Sequence, residues 1–121
     1  MQVPESGLAL SALAILAAAV IGGAMTAYVR LAEKNTPFDI GLLHGRAGAF
    51  AAILLALSVF IGNETAPSVK AALGLLVLTV LGGTALYFLI RRKGVLPKSV
   101  ILIHAGLAVT AVYTLLFGLP F

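Results

Sequence analysis

IGGAMTAYVR (residues 21–30) and PFDIGLLHGR (residues 37–46) return later in the chain as LGGTALYFLI (residues 81–90) and PKSVILIHAG (residues 97–106). Gly22-Gly23 and Gly82-Gly83, Pro37 and Pro97, and His44 and His104 each lie 60 positions apart. At the same offset Ala12/Ala72, Leu13/Leu73, Leu16/Leu76, Val20/Val80, Leu42/Leu102, Ala51/Ala111 and Leu55/Leu115 coincide. Leucine and alanine matches are common in a chain this apolar. A matching glycine pair, proline and histidine are not, because the chain holds only two histidines and five prolines. The pattern is that of a duplicated two-helix unit, with repeat 1 at about residues 7–62 and repeat 2 at about residues 67–121, each presenting one histidine.

Composition sets the class. With 61% apolar residues, 10% charged residues and a mean hydropathy of +1.14, a water-soluble domain is excluded. Four apolar runs, Gly7 to Leu31, Ile40 to Gly62, Val69 to Ile90 and Ser99 to Gly118, each meet the ~20-residue requirement for crossing the hydrocarbon core. The polar stretches between them are short enough that successive helices must be antiparallel neighbours. The expected fold is an all-α membrane protein, an up-down-up-down bundle of four transmembrane helices in which the two hairpins are related by a pseudo-two-fold axis. Residues 1–121 then form a single membrane domain. The first run is expected to remain in place: Glu5 flanks it where a signal peptide carries lysine or arginine, and it is too long for such an h-region. With no cysteine in the chain, disulfides, iron–sulfur ligation and thiolate chemistry drop out.

Orientation follows from the basic residues. Arg30, Lys34, Arg91, Arg92, Lys93 and Lys98 cluster at the first and third connections, and Arg46 lies just inside the second helix. Lys70 alone stands at the other end, against Glu5 and Glu64. Lysine and arginine stay on the cytoplasmic side, where they also meet anionic lipid. The expectation is a bacterial cytoplasmic membrane with both termini periplasmic and the basic loops cytoplasmic. Nucleic acid is not among the expected partners; the lipid bilayer is.

The histidines sit at one depth. Pro37 and Pro97 start their helices, where a missing N–H costs nothing, and seven residues separate each proline from its histidine. At ~1.5 Å per residue, each imidazole lies on the order of 10 Å inside the basic end. A parallel repeat makes the second and fourth helices diagonal partners, so inward-pointing histidines face one another across the axis. At 100° per residue, Gly41, Gly48, Ala51 and Leu55 fall within about 60° of His44, and Ile101, Ala108, Ala111 and Leu115 do so around His104. Small residues on that face, Gly48 and Ala108 among them, leave room.

Opposed imidazoles inside lipid suit haem iron, which takes axial ligands from both sides of its plane. Gly22, Gly23, Gly82 and Gly83 fall at the histidine level and can back a flat cofactor, or serve as contacts for a neighbouring helix. Propionates would point to the basic side, towards Arg30, Arg46 or Lys34. Arg46 is about 160° around the helix from His44, so it reaches the site only by curling, and snorkelling to the interface is its default. A histidine in a membrane helix can also simply hydrogen-bond a neighbouring helix. A zinc or copper site lacks a carboxylate or thiolate at that depth, and a proton relay lacks an intramembrane acid.

Leu42-Leu43-His44-Gly45 with Gly48, and Leu102-Ile103-His104 with Ala108, are similar to the ligand segments of small four-helix membrane b-type cytochromes. That resemblance spans all four helices and implies haem b, one per chain, with His44 and His104 as iron ligands. The chain departs from the di-haem cytochromes that carry electrons across the bilayer, which need four histidines; the outer halves of these helices have none. The expected function is therefore a mono-haem b-type cytochrome relaying electrons as a small subunit of a respiratory or photosynthetic redox complex, with quinone a possible redox partner and stand-alone enzyme activity an open question. Bis-histidine ligation leaves no open coordination position, which favours electron transfer over oxygen chemistry. Two other classes fit the size: a small transporter or channel, and a cofactor-free assembly subunit. Minimal multidrug exporters need an intramembrane carboxylate, which is missing, and Thr26, Thr79, Thr84, Thr110 and Thr114 can bond within their own helices. Tyr28, Tyr87 and Tyr113 could meet a quinone head group, although tyrosine is enriched at membrane interfaces in any case, and the first two are placed there.

Overall fold

The computed structural model describes residues 7–32, 39–62, 65–94 and 97–118. Helix α1 spans Gly7–Leu31, α2 Ile40–Phe60, α3 Pro67–Arg92 and α4 Lys98–Phe117. Their ends have local causes. Asp39 caps α2, its carboxylate accepting a hydrogen bond from the Leu42 N–H at 3.0 Å. Pro67 occupies the first turn of α3, and so the helix begins two residues ahead of the apolar run that announces it. It also runs on through Arg91 and Arg92, whose charges suit a helix C-terminus. Gly94 (φ 67°) and Gly118 (φ 84°) follow α3 and α4 in the left-handed region, where an L side chain is strained. The expected cap at Pro4 and Ser6, and Lys34 and Pro37, lie outside the described residues.

All four helices are long and apolar enough to cross a membrane, and large apolar side chains such as Ile21, Phe60 and Leu102 cover the outside of the bundle. The protein is an integral membrane protein. Each helix packs against its neighbours in sequence, α1 against α4 closes the ring, and the diagonal pairs, α1 with α3 and α2 with α4, make no backbone contact among the described residues.

The buried core fills only half of this ring. It consists of Ala9, Ala12, Leu16 and Ala19 from α1, Ala51, Leu55 and Ser58 from α2, Val69, Ala72, Leu76 and Thr79 from α3, and Ala111, Thr114 and Leu115 from α4. All of these lie towards the end opposite the basic connections. From Val20 to Leu31, Ile40 to Phe50, Val80 to Arg92 and Lys98 to Thr110, only Leu86 is buried. The alanines explain the tight half. Lipid tails are as apolar as leucine, so membrane helices are held by close van der Waals packing, which small side chains permit. Two hydroxyls there bond within their own helices: Ser58 donates to the Leu55 carbonyl and Thr79 to that of Leu75, both at 2.7 Å. Thr26, Thr84 and Thr110 likewise bond the carbonyl four residues back, as the sequence leads one to expect.

Candidate functional site

Both histidines stand in the loosely packed half. His44 continues the inward stripe of α2 that carries Ala51, Leu55 and Ser58, and His104 continues the stripe of α4 that carries Ala111 and Leu115. Although α2 and α4 have no backbone contact, the imidazoles reach into the space between them. Their ring centroids are 6.1 Å apart and their planes cross at 84°.

The first helix of each hairpin seats the histidine of the second. The His44 Nδ1 lies 2.7 Å from the Ala19 carbonyl oxygen. A carbonyl can only accept, so Nδ1 carries a proton; in the neutral ring Nε2 then keeps its lone pair for another partner. Gly23 makes room for the same ring. A Cβ there would stand 2.8 Å from His44 Cε1 and 3.3 Å from both ring nitrogens. At Gly22 the nearest atom would be His44 Cβ at 3.8 Å, an ordinary contact. The second hairpin repeats the arrangement: a Cβ on Gly83 would meet His104 Cε1 at 2.9 Å, and one on Gly82 would meet Nδ1 at 3.7 Å. The space left at Gly23 and Gly83 is thus taken by imidazole, whereas the sequence suggested a flat cofactor or a neighbouring helix. His104 differs from His44 in one respect. Its buried Nδ1 faces the Thr79 carbonyl, 60 positions on from that of Ala19, in a contact less well aligned than the one His44 makes.

Other sequence-derived candidates divide. Gly48 and Ala108, one turn beyond the histidines, are half-buried, and a Cβ on Gly48 would meet nothing within 4 Å. Arg30 is half-buried at the mouth of the site, its Nη2 3.9 Å from where a Gly41 Cβ would be. Arg46 is exposed. Two groups without a place in the sequence reading also belong here. Asp39 forms an ion pair with Arg91 at 3.6 Å, joining the start of α2 to the end of α3, and Arg91 lies over the Tyr87 ring at 6.0 Å. The Ala19 carbonyl is the other; every residue has a carbonyl, so only the fold could single it out.

Comparison with protein-family models, with curated proteins and with solved structures finds no match.

What the site can do follows from its donors. Two imidazoles bonded to opposite sides of one ion at ~2 Å place their ring centres roughly 6 Å apart, close to the observed 6.1 Å. Among the described residues no group of three or more His, Cys, Asp or Glu could hold a metal.

Proposed function

We propose that this protein is a mono-haem b-type membrane cytochrome, with His44 and His104 as the axial ligands. The observation that carries the reading is the opposed imidazole pair, 6.1 Å between centroids, in the half of the bundle with almost no buried side chain. Haem, when bound, supplies a one-electron couple at its iron. The remaining roles fall to the chain. Ala19 fixes the His44 tautomer and orientation through Nδ1, the outer contact that metal-binding histidines ordinarily make. Gly23 and Gly83 let each ring lie against its partner helix. Arg30 stands where an acidic ring substituent at the basic end would need a guanidinium.

The duplicated-hairpin reading has support in the packing. Ala9, Ala12, Leu16 and Ala19 on α1 and Val69, Ala72, Leu76 and Thr79 on α3 are buried at one offset, as are Ala51 and Leu55 on α2 with Ala111 and Leu115 on α4. A pseudo-two-fold axis between α2 and α4 would pass between the imidazoles. With the basic connections cytoplasmic, the haem lies near the cytoplasmic face of a bacterial membrane. One haem on one side calls for partners, so the chain works as a small subunit of a respiratory or photosynthetic redox complex, exchanging electrons with other subunits or with quinone.

A reduced-minus-oxidised spectrum of the purified protein tests this. The expected result is a b-type pair of bands, altered or lost with either His44→Ala or His104→Ala. Well-expressed protein without such bands would sink the reading.

A further inference from the structure

The start of α2 lies between the ends of α1 and α3, and each of these brings a guanidinium to it. Asp39 supplies the carboxylate there. Its Oδ1 accepts the Leu42 N–H at 3.0 Å, and its Oδ2 faces Arg91 Nη2 at 3.6 Å, beyond hydrogen-bond length. The Arg91 side chain stays half exposed, over the Tyr87 ring at 6.0 Å. On α1, Arg30 Nη2 would stand 3.9 Å from a Gly41 Cβ, and Asp39 Oδ1 3.3 Å from the same point. Arg30 is half-buried and has no hydrogen bond or ion pair among the described residues. Two guanidiniums thus meet one carboxylate that is already engaged, and one positive charge is left in excess among the described residues. The start of α4 has no such arrangement: the positions 60 residues from Arg30, Asp39 and Arg91 are Ile90, Ser99 and Leu31.

We propose that this corner seats the phosphate of one anionic phospholipid, drawn from the leaflet on the basic side. Arg30 and Arg91 donate to the phosphate oxygens in charge-assisted hydrogen bonds, for which the planar fork of a guanidinium is suited. A lipid fits better than a free phosphate or an acidic peptide because the seat stands at the end of membrane-length helices. Within about a turn of it lie Leu42 and Leu43 on α2 and Tyr87 and Phe88 on α3, all exposed and able to pack against acyl chains. Arg92, Lys93 and Lys98 are exposed nearby and add diffuse attraction, which favours an anionic head over a zwitterionic one. Asp39 opposes the phosphate and so limits how tightly it is held. The inference goes beyond the cytochrome reading and does not depend on it: Arg30 alone is shared between the two, and the test turns on Arg91.

The test is native mass spectrometry of the full chain in a neutral detergent at fixed salt, titrated with phosphatidylglycerol or with phosphatidylcholine of the same acyl chains. One phosphatidylglycerol per chain is expected, bound at least about tenfold more tightly than phosphatidylcholine, the scale of a hydrogen bond to a charged group. Equal binding of the two lipids, or several equivalent phosphatidylglycerols with no first site, overturns the proposal. Arg91→Gln should weaken the first site by about tenfold or more. Arg92→Gln removes the same charge next door and should cost no more than about fivefold, the reach of one cation's diffuse attraction. Equal losses would mean a diffuse basic surface and no seat. Asp39→Asn keeps the helix cap but removes the opposing charge, so it should tighten the first site; unchanged or weaker binding overturns the arrangement drawn here. Inorganic phosphate at the lipid's concentration should not displace phosphatidylglycerol, and displacement would overturn the lipid as occupant. Protein purified without pigment should bind phosphatidylglycerol in the same way, so failure of the cytochrome reading leaves this result standing. Failure to bind the lipid, in turn, leaves the reduced-minus-oxidised spectrum to be judged by itself.

Discussion

At Gly23 a single methyl group separates a seated imidazole from a displaced one. A Cβ there would lie 2.8 Å from His44 Cε1, with both ring nitrogens at 3.3 Å, so the ring cannot keep its place. Alanine is worth up to ~1 kcal/mol over glycine in a helix, but overpacking costs about 1–3 kcal/mol, and overpacking wins. Gly23→Ala should lower the melting temperature and, if the protein binds haem as proposed, the haem content with it, while Gly22→Ala, facing only His44 Cβ at 3.8 Å, should retain both. Gly83→Ala and Gly82→Ala should divide the same way. Pigment-to-protein ratios across the four variants check this, and equal behaviour within each pair would contradict it. Much at this scale was legible in the sequence: the matched spacings already set both histidines and both glycine pairs at one level. What fills the space beside a glycine depends on helix rotation to within a fraction of a turn, and the sequence left imidazole, cofactor and helix undistinguished. The Ala19 contact could not be read at all, because it uses a group that all residues share.

Among the elements, α2 is the one whose ends are best defined, and Asp39 does two jobs there. Asn caps a helix about as well as Asp, which allows the jobs to be separated. Asp39→Ala should cost about 1 kcal/mol through the lost cap. Asp39→Asn should cost less, since it removes only a partly exposed ion pair worth roughly 0–1 kcal/mol. Thermal unfolding in one detergent compares them, and equal losses would mean the cap contributes little. Further along, Leu55 on α2 and Leu115 on α4 are almost wholly buried, whereas Leu43 is 62% exposed. Leu55→Ala and Leu115→Ala should each cost about 2–5 kcal/mol, and Leu43→Ala much less, by the same measurement. Helix spans were readable to within about two residues, because hydropathy fixes the length that lipid can cover. The departures at Pro67 and Arg92 come from residues that hydropathy scores as polar but that helix termini accept. The Asp39–Arg91 pair escaped because the two residues lie far apart in sequence and meet only when α2 and α3 pack.

For the molecule as a whole, the division into a tight half and an open half has a thermodynamic meaning. A ligand that binds only the folded state adds stability by mass action, and here it would act on the half that side chains leave unfilled. If the proposed haem is bound, removing it should therefore speed amide exchange in residues 20–31, 40–50, 80–92 and 98–108 while residues 9–19, 51–58, 69–79 and 111–115 stay protected. Exchange read by mass spectrometry with and without haem decides, and uniform loosening would mean that the halves unfold as one unit. Orientation is testable with equal directness, because the native chain contains no cysteine. A cysteine at Lys93 should resist a membrane-impermeant maleimide in intact cells, and one at Lys70 should react.

The crossing of the imidazole planes carries a spectroscopic consequence. Parallel axial rings lift the near-degeneracy of the iron orbitals that they overlap, whereas rings at right angles leave it largely intact. If loading preserves the 84° crossing, the oxidised protein should give a strongly anisotropic low-spin resonance with one dominant low-field line, in place of the rhombic three-line pattern of parallel ligands. The magnetism of the iron would then report directly on how two helices are rotated about their own axes.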